Sequence, residues 1–216
     1  MSNAIWSIVR AEVIPGHEWF FLGTQSGISI FDASESSMIV DDVLGATSYF
    51  VHSMLYDPPM QRLYVGTDDG LYAYSISSDG ASKIDGFPLT EDGGLASANI
   101  LSIALDGNQL YFGTSKGLHK YDLTKMNRDG LYIIDSSGGL PVDAVSAIAI
   151  WKRSSQDGML YAGTIGGGVA ILEISYGLSW IEWGMFVGGI AGTIAGIVSL
   201  VLKGGKLVSK IREHLP

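Results

Sequence analysis

Residues 110–122 read LYFGTSKGLHKYD, and three other stretches of the chain repeat this pattern around a Gly-Thr pair. The four glycines of these pairs are Gly23, Gly66, Gly113 and Gly163, at spacings of 43, 47 and 50 residues. The equivalent stretches are 19–32 (WFFLGTQSGISIFD), 63–75 (LYVGTDDGLYAYS) and 160–173 (LYAGTIGGGVAILE). A regular period of this length is typical of repeat architectures whose units stack on one another.

Each unit reads as a series of short antiparallel strands. An apolar strand comes first, and the aromatic strand that ends in Gly-Thr follows it. A tight turn with glycine then leads to a third strand of alternating apolar residues. The first strands are predicted at 5–9, 50–55, 100–105 and 145–150, and weaker fourth strands at 37–43, 81–86 and 131–135. The fourth unit has no clear fourth strand in this pattern.

Four short strands in 43–50 residues match the size of one propeller blade. We therefore predict an all-β fold, a small β-propeller of four units at about 5–45, 48–90, 98–137 and 143–175, within a domain that spans 1–178. The repeat resembles the two-component-regulator propeller family (Reg_prop-type repeats), and residues 110–123 match it best. The resemblance covers most of residues 5–175. It implies ligand sensing or protein contact and does not imply a reaction.

The sequence leaves two closures of the ring open. Four blades can form a small closed propeller, which is the closure we favour at this point. Alternatively, a partial ring can be completed by another chain. Open sheet edges and faces are normally covered in proteins, so either closure has a physical rationale.

A second feature follows the repeats. Residues 183–202 read WGMFVGGIAGTIAGIVSLVL, twenty residues without a charge. A helix of that length spans about 30 Å, the thickness of the bilayer hydrocarbon core. We predict a transmembrane helix over 179–203 and a basic tail over 204–216. Aromatic and basic residues flank it as membrane-interface anchors, namely Tyr176, Trp180, Trp183, Lys203 and Lys206.

Glycines recur every four residues along this predicted helix, at Gly184, Gly188, Gly192 and Gly196. Small residues at this spacing let two membrane helices approach closely. We expect this glycine face to associate with a second copy or with another membrane subunit. Together with the lipid bilayer, these are the partners that the sequence predicts.

Charge is distributed unevenly along the chain. The whole chain carries a net charge of −9, yet residues after 202 include four basic side chains. An acidic body argues against a nucleic-acid partner, because such binding needs a basic surface. The basic tail favours a cytoplasmic C-terminus and an extracytoplasmic propeller. The N-terminal MSNAIWSIVRAEVI lacks the basic region and apolar core of a signal peptide, which conflicts with that topology.

No catalytic or metal-binding motif is present. Cysteine is absent, which excludes thiol chemistry and disulfides. The four histidines are scattered along the chain, at His17, His52, His119 and His214. If the protein were a propeller enzyme, His52 and His119 would be the candidate metal ligands. The pairs 41–42 and 68–69 are acidic, and 68–70 and 166–168 read as turns. We therefore predict no enzyme activity, no metal site and no cofactor.

These observations favour a membrane-anchored recognition or structural module, displayed at a cell or virion surface or built into a membrane assembly. The alternative is a ligand-sensing or accessory subunit of a membrane complex. A lactonase- or lyase-type propeller enzyme is the least favoured alternative, since it requires histidines and carboxylates to converge. The sequence does not identify a ligand-binding residue.

Overall fold

The computed structural model describes residues 4–40, 49–78, 80–154, 157–175, 185–188, 198–203 and 206–211. Within these residues the chain is organised as four antiparallel sheets, each a four-stranded meander in sequence order. The prediction of an all-β protein with four propeller-like blades is therefore confirmed.

Each blade is built from consecutive strands. Blade 1 contains β1 (Ile5–Ile14), β2 (His17–Thr24), β3 (Gly27–Asp32) and β4 (Ser37–Val40). Blade 2 contains β5 (Val51–Asp57), β6 (Arg62–Thr67), β7 (Leu71–Ser77) and β8 (Gly80–Lys83). Blade 3 contains β9 (Ile100–Asp106), β10 (Gln109–Thr114), β11 (Gly117–Asp122) and β12 (Leu131–Ile134). Blade 4 contains β13 (Val145–Lys152), β14 (Asp157–Thr164), β15 (Gly168–Ser175) and β16 (Met185–Gly188).

Two short 3-10 helices lie in blade 3, at Arg128–Gly130 and Ser136–Gly138. A separate hairpin pairs β17 (Val198–Lys203) with β18 (Lys206–Ile211). The parts of the chain that the structure describes contain no helix that is long and apolar enough to cross a membrane.

The predicted helix over 179–203 is not shown. Residues 176–184 and 189–197 lie outside the described residues, and the described parts have the backbone of strands β16 and β17. An uninterrupted apolar run is compatible with either a helix or a buried strand, because it lacks the polar positions that reveal a period. The helix therefore stays a prediction, and so does the basic tail.

The blades stack in sequence order around their first strands. β1 packs against β5, β5 against β9, and β9 against β13. Three apolar cores lie between successive blades, one for each junction. No comparable packing joins β13 back to β1 in the described residues. Within the described residues the four blades therefore form an open arc, and the closed ring that the sequence favoured is not seen there.

Candidate recognition surface

The Gly-Thr pairs build one edge of the arc, which we call the GT edge. In each blade the second strand ends at this edge, the third strand begins there, and the first strand starts beside it. The threonine hydroxyl closes each intervening turn by donating to a glycine carbonyl. The distances are 3.1 Å for Thr24 to Gly27, 2.9 Å for Thr67 to Gly70, 3.1 Å for Thr114 to Gly117 and 2.9 Å for Thr164 to Gly168.

The same hydroxyl also accepts a hydrogen bond from the turn in the first three blades. The backbone N–H two residues further on donates to Thr24, Thr67 or Thr114 at 3.0–3.1 Å. This double use explains why threonine follows the glycine in the repeat. In blades 1–3 the bonds to the glycine carbonyls are buried, so they help to fix the turns of the GT edge.

An aromatic cluster lies on the GT edge where blades 1 and 2 meet. The ring of Trp6 is 5.0 Å from that of Phe50, and Phe50 stacks on His52 at 4.4 Å. Trp6 is 56% exposed despite these contacts. Close by, the rings of Tyr49 and Tyr72 are 5.5 Å apart. We use the name aromatic cluster for these five residues.

Charged groups border the aromatic cluster. The hydroxyl of Tyr72 donates to Asp69 at 3.1 Å, and the ammonium of Lys83 lies 5.2 Å from the Tyr72 ring centre. Burial raises the pKa of Tyr72 far above its usual value, and the hydrogen bonds with Tyr49 and Asp69 act in the same direction, so the hydroxyl stays protonated. Tyr72 itself is only 3% exposed, so Trp6 supplies the exposed ring of the cluster beside these polar groups.

His52 is held mainly as a neutral ring. Burial lowers its pKa, and the charge of Asp68 opposes that shift. Asp68 itself is used in the turn, where it accepts the backbone N–H of Phe50 at 3.0 Å. The prediction that residues 68–70 form a turn is correct, and their carboxylates have structural partners there.

The candidate histidines do not converge. His17 is the first residue of β2, while His52 and His119 lie on β5 and β11. His119 is fully buried, accepts the backbone N–H of Ala96 at 3.0 Å and stacks on Phe112 at 5.0 Å. Burial lowers the pKa of His119 to about 4. It is a structural histidine in the core of blade 3.

The described residues contain no group of three or more histidine, aspartate and glutamate side chains placed to hold a metal ion. Residues 166 and 167 lie in the turn between β14 and β15, as predicted, while Gly168 is the first residue of β15. The acidic pair at 41–42 lies outside the described residues.

A groove of about 400 Å3 opens at the edge opposite the GT edge, between the β1–β2 and β5–β6 turns. Arg10 and Glu12 contribute its charges, and Val13, Tyr56 and Pro58 contribute apolar walls. Arg10 is already paired with Glu18, and Glu12 accepts the backbone N–H of Gly16 at 3.3 Å.

The predicted membrane residues are not tested by this geometry. Gly184, Gly192, Gly196, Tyr176, Trp180 and Trp183 lie outside the described residues. Gly188, Lys203 and Lys206 fall on β16, β17 and β18, where only the backbone is described. The aromatic cluster, in contrast, was missed by the sequence reasoning, because its members come from two blades and share no local motif.

Comparison with known proteins supports the fold. The chain is similar to the extracellular domain assigned to a hybrid two component system, BT3049, from B. thetaiotaomicron, with 17% identity and a TM-score of 0.57. It is also similar to the extracellular domain of a one component system, BT4673, from the same organism, with 18% identity and a TM-score of 0.54. The computationally designed Ika8 protein matches with 16% identity and a TM-score of 0.54.

The matches cover nearly all of this chain but only part of the others. They span 98%, 97% and 96% of this chain, and 30%, 31% and 61% of BT3049, BT4673 and Ika8, respectively. No protein-family profile matches the chain. No curated protein matches it either. The comparisons therefore establish the propeller-like fold, while the resemblance to the two-component-regulator propeller family stays a prediction.

Proposed function

We propose that this chain is a membrane-anchored, non-enzymatic recognition module that binds a protein partner through the aromatic cluster on its GT edge. The observation that carries the proposal is the exposure of Trp6 on top of the Phe50–His52 stack. Tryptophan and tyrosine provide large contact area with few rotatable bonds, and they dominate the energy of protein interfaces.

The shape of the surface favours a macromolecular partner. The cluster lies on an edge between blades, and the only groove described above opens on the other edge of the arc. Aromatic side chains with a polar border are typical of protein interfaces, whereas small ligands bind in concave pockets. The polar border here is provided by Asp69 and Lys83 around Tyr72.

The membrane anchor rests on the sequence. Residues 183–202 are long and apolar enough to span a bilayer and are followed by lysines at 203, 206 and 210. Four of these residues, Met185–Gly188, cannot belong to both a spanning helix and strand β16. The proposal assigns them to the helix, with the head outside the cytoplasm and the basic tail inside.

The geometry of blade 4 suits presentation of the GT edge. β15 starts beside this edge at Gly168 and ends at Ser175 on the opposite edge. A membrane segment that starts soon after Ser175 would leave the aromatic cluster turned away from the bilayer. Association of several anchored heads would then add weak contacts together.

The anchor is tested by flotation of the full chain with phosphatidylcholine vesicles. We expect the wild-type protein to float and to resist extraction by carbonate. The variant I190K/I194K should stay in the soluble fraction, because two charges in the span oppose insertion. Infrared spectra of the inserted protein distinguish the two assignments of Met185–Gly188, since a span adds a helical band. Flotation of both proteins, or of neither, would contradict the proposed anchor.

Recognition is tested by affinity capture on the purified full chain from a membrane extract of its source. A partner bound by the wild type should be lost with W6A and retained with Y132A. Tyr132 is a suitable control because it is 47% exposed on an outer strand of blade 3. Equal capture by both variants would exclude the aromatic cluster. A melting temperature raised by small molecules, and insensitive to W6A, would instead favour the ligand-sensing alternative.

A further inference from the structure

The three internal junctions of the arc use the same positions of the repeat. Two residues before each Gly-Thr pair, Phe21, Tyr64 and Tyr111 point at the following blade and are at most 1% exposed. The third strands contribute Ile28, Leu71 and Leu118, which also point at the following blade and are at most 1% exposed. Every blade from 1 to 3 therefore has one face that is built to receive the next blade.

Blade 4 repeats this face, but no described part of the chain places another blade against it. Tyr161 is half-buried at the position where Phe21, Tyr64 and Tyr111 are buried, and Val169 is 40% exposed where Ile28, Leu71 and Leu118 are buried. Trp151, on the same face, is 53% exposed. We call this the trailing face, formed by Ala149, Trp151, Met159, Tyr161, Val169 and Ile171.

Gly163 gives independent support for this reading. A Cβ on Gly23 would lie 2.6 Å from Val51 of blade 2, and one on Gly66 would lie 2.8 Å from Ile100 of blade 3. The glycine of the repeat is thus needed because the next blade is so close. A Cβ on Gly163 would meet only Ala147 of its own blade, at 3.4 Å. Blade 4 keeps the glycine although the described chain brings no blade to it.

Blade 1 has the complementary open face. Leu63, Leu110 and Leu160 pack against the preceding blade and are fully buried, while the equivalent Phe20 is only half-buried. Ile8 is 60% exposed, although its equivalent Met54 in blade 2 is 8% exposed. We call this the leading face, formed by Ile8, Phe20, Leu22 and Phe31.

We propose that a second copy of this chain docks on the arc, so that the trailing face of each copy packs against the leading face of the other. The two faces correspond to the two halves of each internal junction, and a second copy is the partner that carries both. Two arcs related by a two-fold axis give two identical junctions and no unpaired face. The resulting eight blades lie within the usual range for propellers, and a third copy would exceed it.

This assembly is compatible with, and independent of, the membrane anchor. A two-fold axis along the axis of the ring keeps both GT edges on one side and both Ser175 ends on the other. It also explains the exposed apolar side chains of the two faces, which in a lone arc would be a liability for aggregation.

The first test is the mass of the full chain in mild detergent by light scattering. We expect a dimer for the wild type, and monomers for I8E and for W151E, because a buried charge at each junction is unfavourable. Both positions are exposed in the arc, so the variants should keep their melting temperature as monomers. M60E is the matched control and should stay dimeric, since Met60 is 53% exposed in the β5–β6 turn.

The second test uses the two defective variants together. A mixture of I8E and W151E chains retains one intact junction, formed by the trailing face of the first and the leading face of the second. We therefore expect a heterodimer in the mixture at concentrations where each variant alone is monomeric. A helix–helix contact alone would not give this complementation.

Three results would overturn the inference. These are a monomeric wild-type chain, a particle that grows beyond two copies, and a dimer that persists in I8E and W151E. In the last case G188L/G192L should produce the monomer, which would assign the dimer to the glycine face. Vesicle flotation and partner capture report separately on the proposed function, because neither depends on the junction faces.

Discussion

Gly113 lies directly against Val145 of the next blade: a Cβ on Gly113 would come within 2.7 Å of the Val145 Cγ1. The relationship recurs between Gly23 and Val51, and between Gly66 and Ile100. It shows that the glycine of the repeat serves the approach of the following blade, and that the blades stack through their backbones as well as their side chains.

The first prediction concerns this contact. G113A should lower the free energy of unfolding by about 1–3 kcal/mol, because the added methyl group overpacks a junction that includes backbone. G163A should leave the stability of the monomeric arc nearly unchanged, since its Cβ meets only Ala147 at 3.4 Å. Urea unfolding of both variants, each in the W151E background that removes the dimer, makes the comparison. Equal destabilisation would contradict the role assigned to the next blade.

A second prediction concerns the threonine that follows this glycine. T67V removes two hydrogen bonds of a fully buried hydroxyl, to Gly70 and from Asp69. We expect a loss of about 1–3 kcal/mol in the free energy of unfolding, because the Asp69 N–H then lacks a partner and the Gly70 carbonyl keeps only the N–H of Thr67. T164V should cost less, since Thr164 is only half-buried and water can replace its hydroxyl. A larger effect in T164V would refute this explanation of the repeat.

A third prediction follows from His119. The pKa of His119 is about 4 in the folded state, below the usual 6.5. Between pH 4 and 6.5 the unfolded chain therefore binds a proton at this residue that the folded chain does not bind. The free energy of unfolding should therefore fall as the pH decreases from about 6.5 towards 4, by about 2 kcal/mol between pH 7 and 5. H119Q should lose this part of the pH dependence, while H17Q should keep it. Parallel pH profiles for wild type and H119Q would contradict the assignment.

The fourth prediction concerns a charged contact between blades 3 and 4. Lys152 forms an ion pair with Asp106, whose side chain is 2% exposed. K152M should destabilise the arc by about 1–3 kcal/mol, because a buried carboxylate loses its opposite charge. D106N/K152M should recover part of the loss, and R153M is the control because Arg153 pairs with an exposed Asp157. If R153M costs as much as K152M, burial of Asp106 is not the cause.

A fifth prediction uses the absence of cysteine from the chain. The double variant I8C/W151C should give a covalent dimer with a short bismaleimide, since each junction of the proposed ring brings one leading and one trailing face together. The single variants should not be cross-linked, because the two-fold axis places identical positions at different junctions. Efficient cross-linking of I8C alone would indicate a different arrangement of the two copies.

The repeat was readable in the sequence because its determinants are local. Alternating apolar residues, a Gly-Thr pair and a glycine in the next turn specify a hairpin within about fourteen residues, and the strands found in blades 1–3 follow that reading. The fourth strand of blade 4 was not predicted, because Met185–Gly188 lies within an apolar run that has no strand period. The aromatic cluster was not predicted either, since Trp6 and Phe50 lie in different blades.

By itself, the sequence determined the number of blades, the order of their strands and the glycine positions of the repeat at which a larger side chain does not fit. Only the tertiary structure decided that the four blades form an open arc, that Trp6 stays exposed on a stack from the next blade, and that His119 is buried. The reason is physical. Hairpins depend on neighbours in the chain, whereas the angle between blades depends on the volumes of side chains that meet across junctions, and no local pattern records how those volumes add up around a ring.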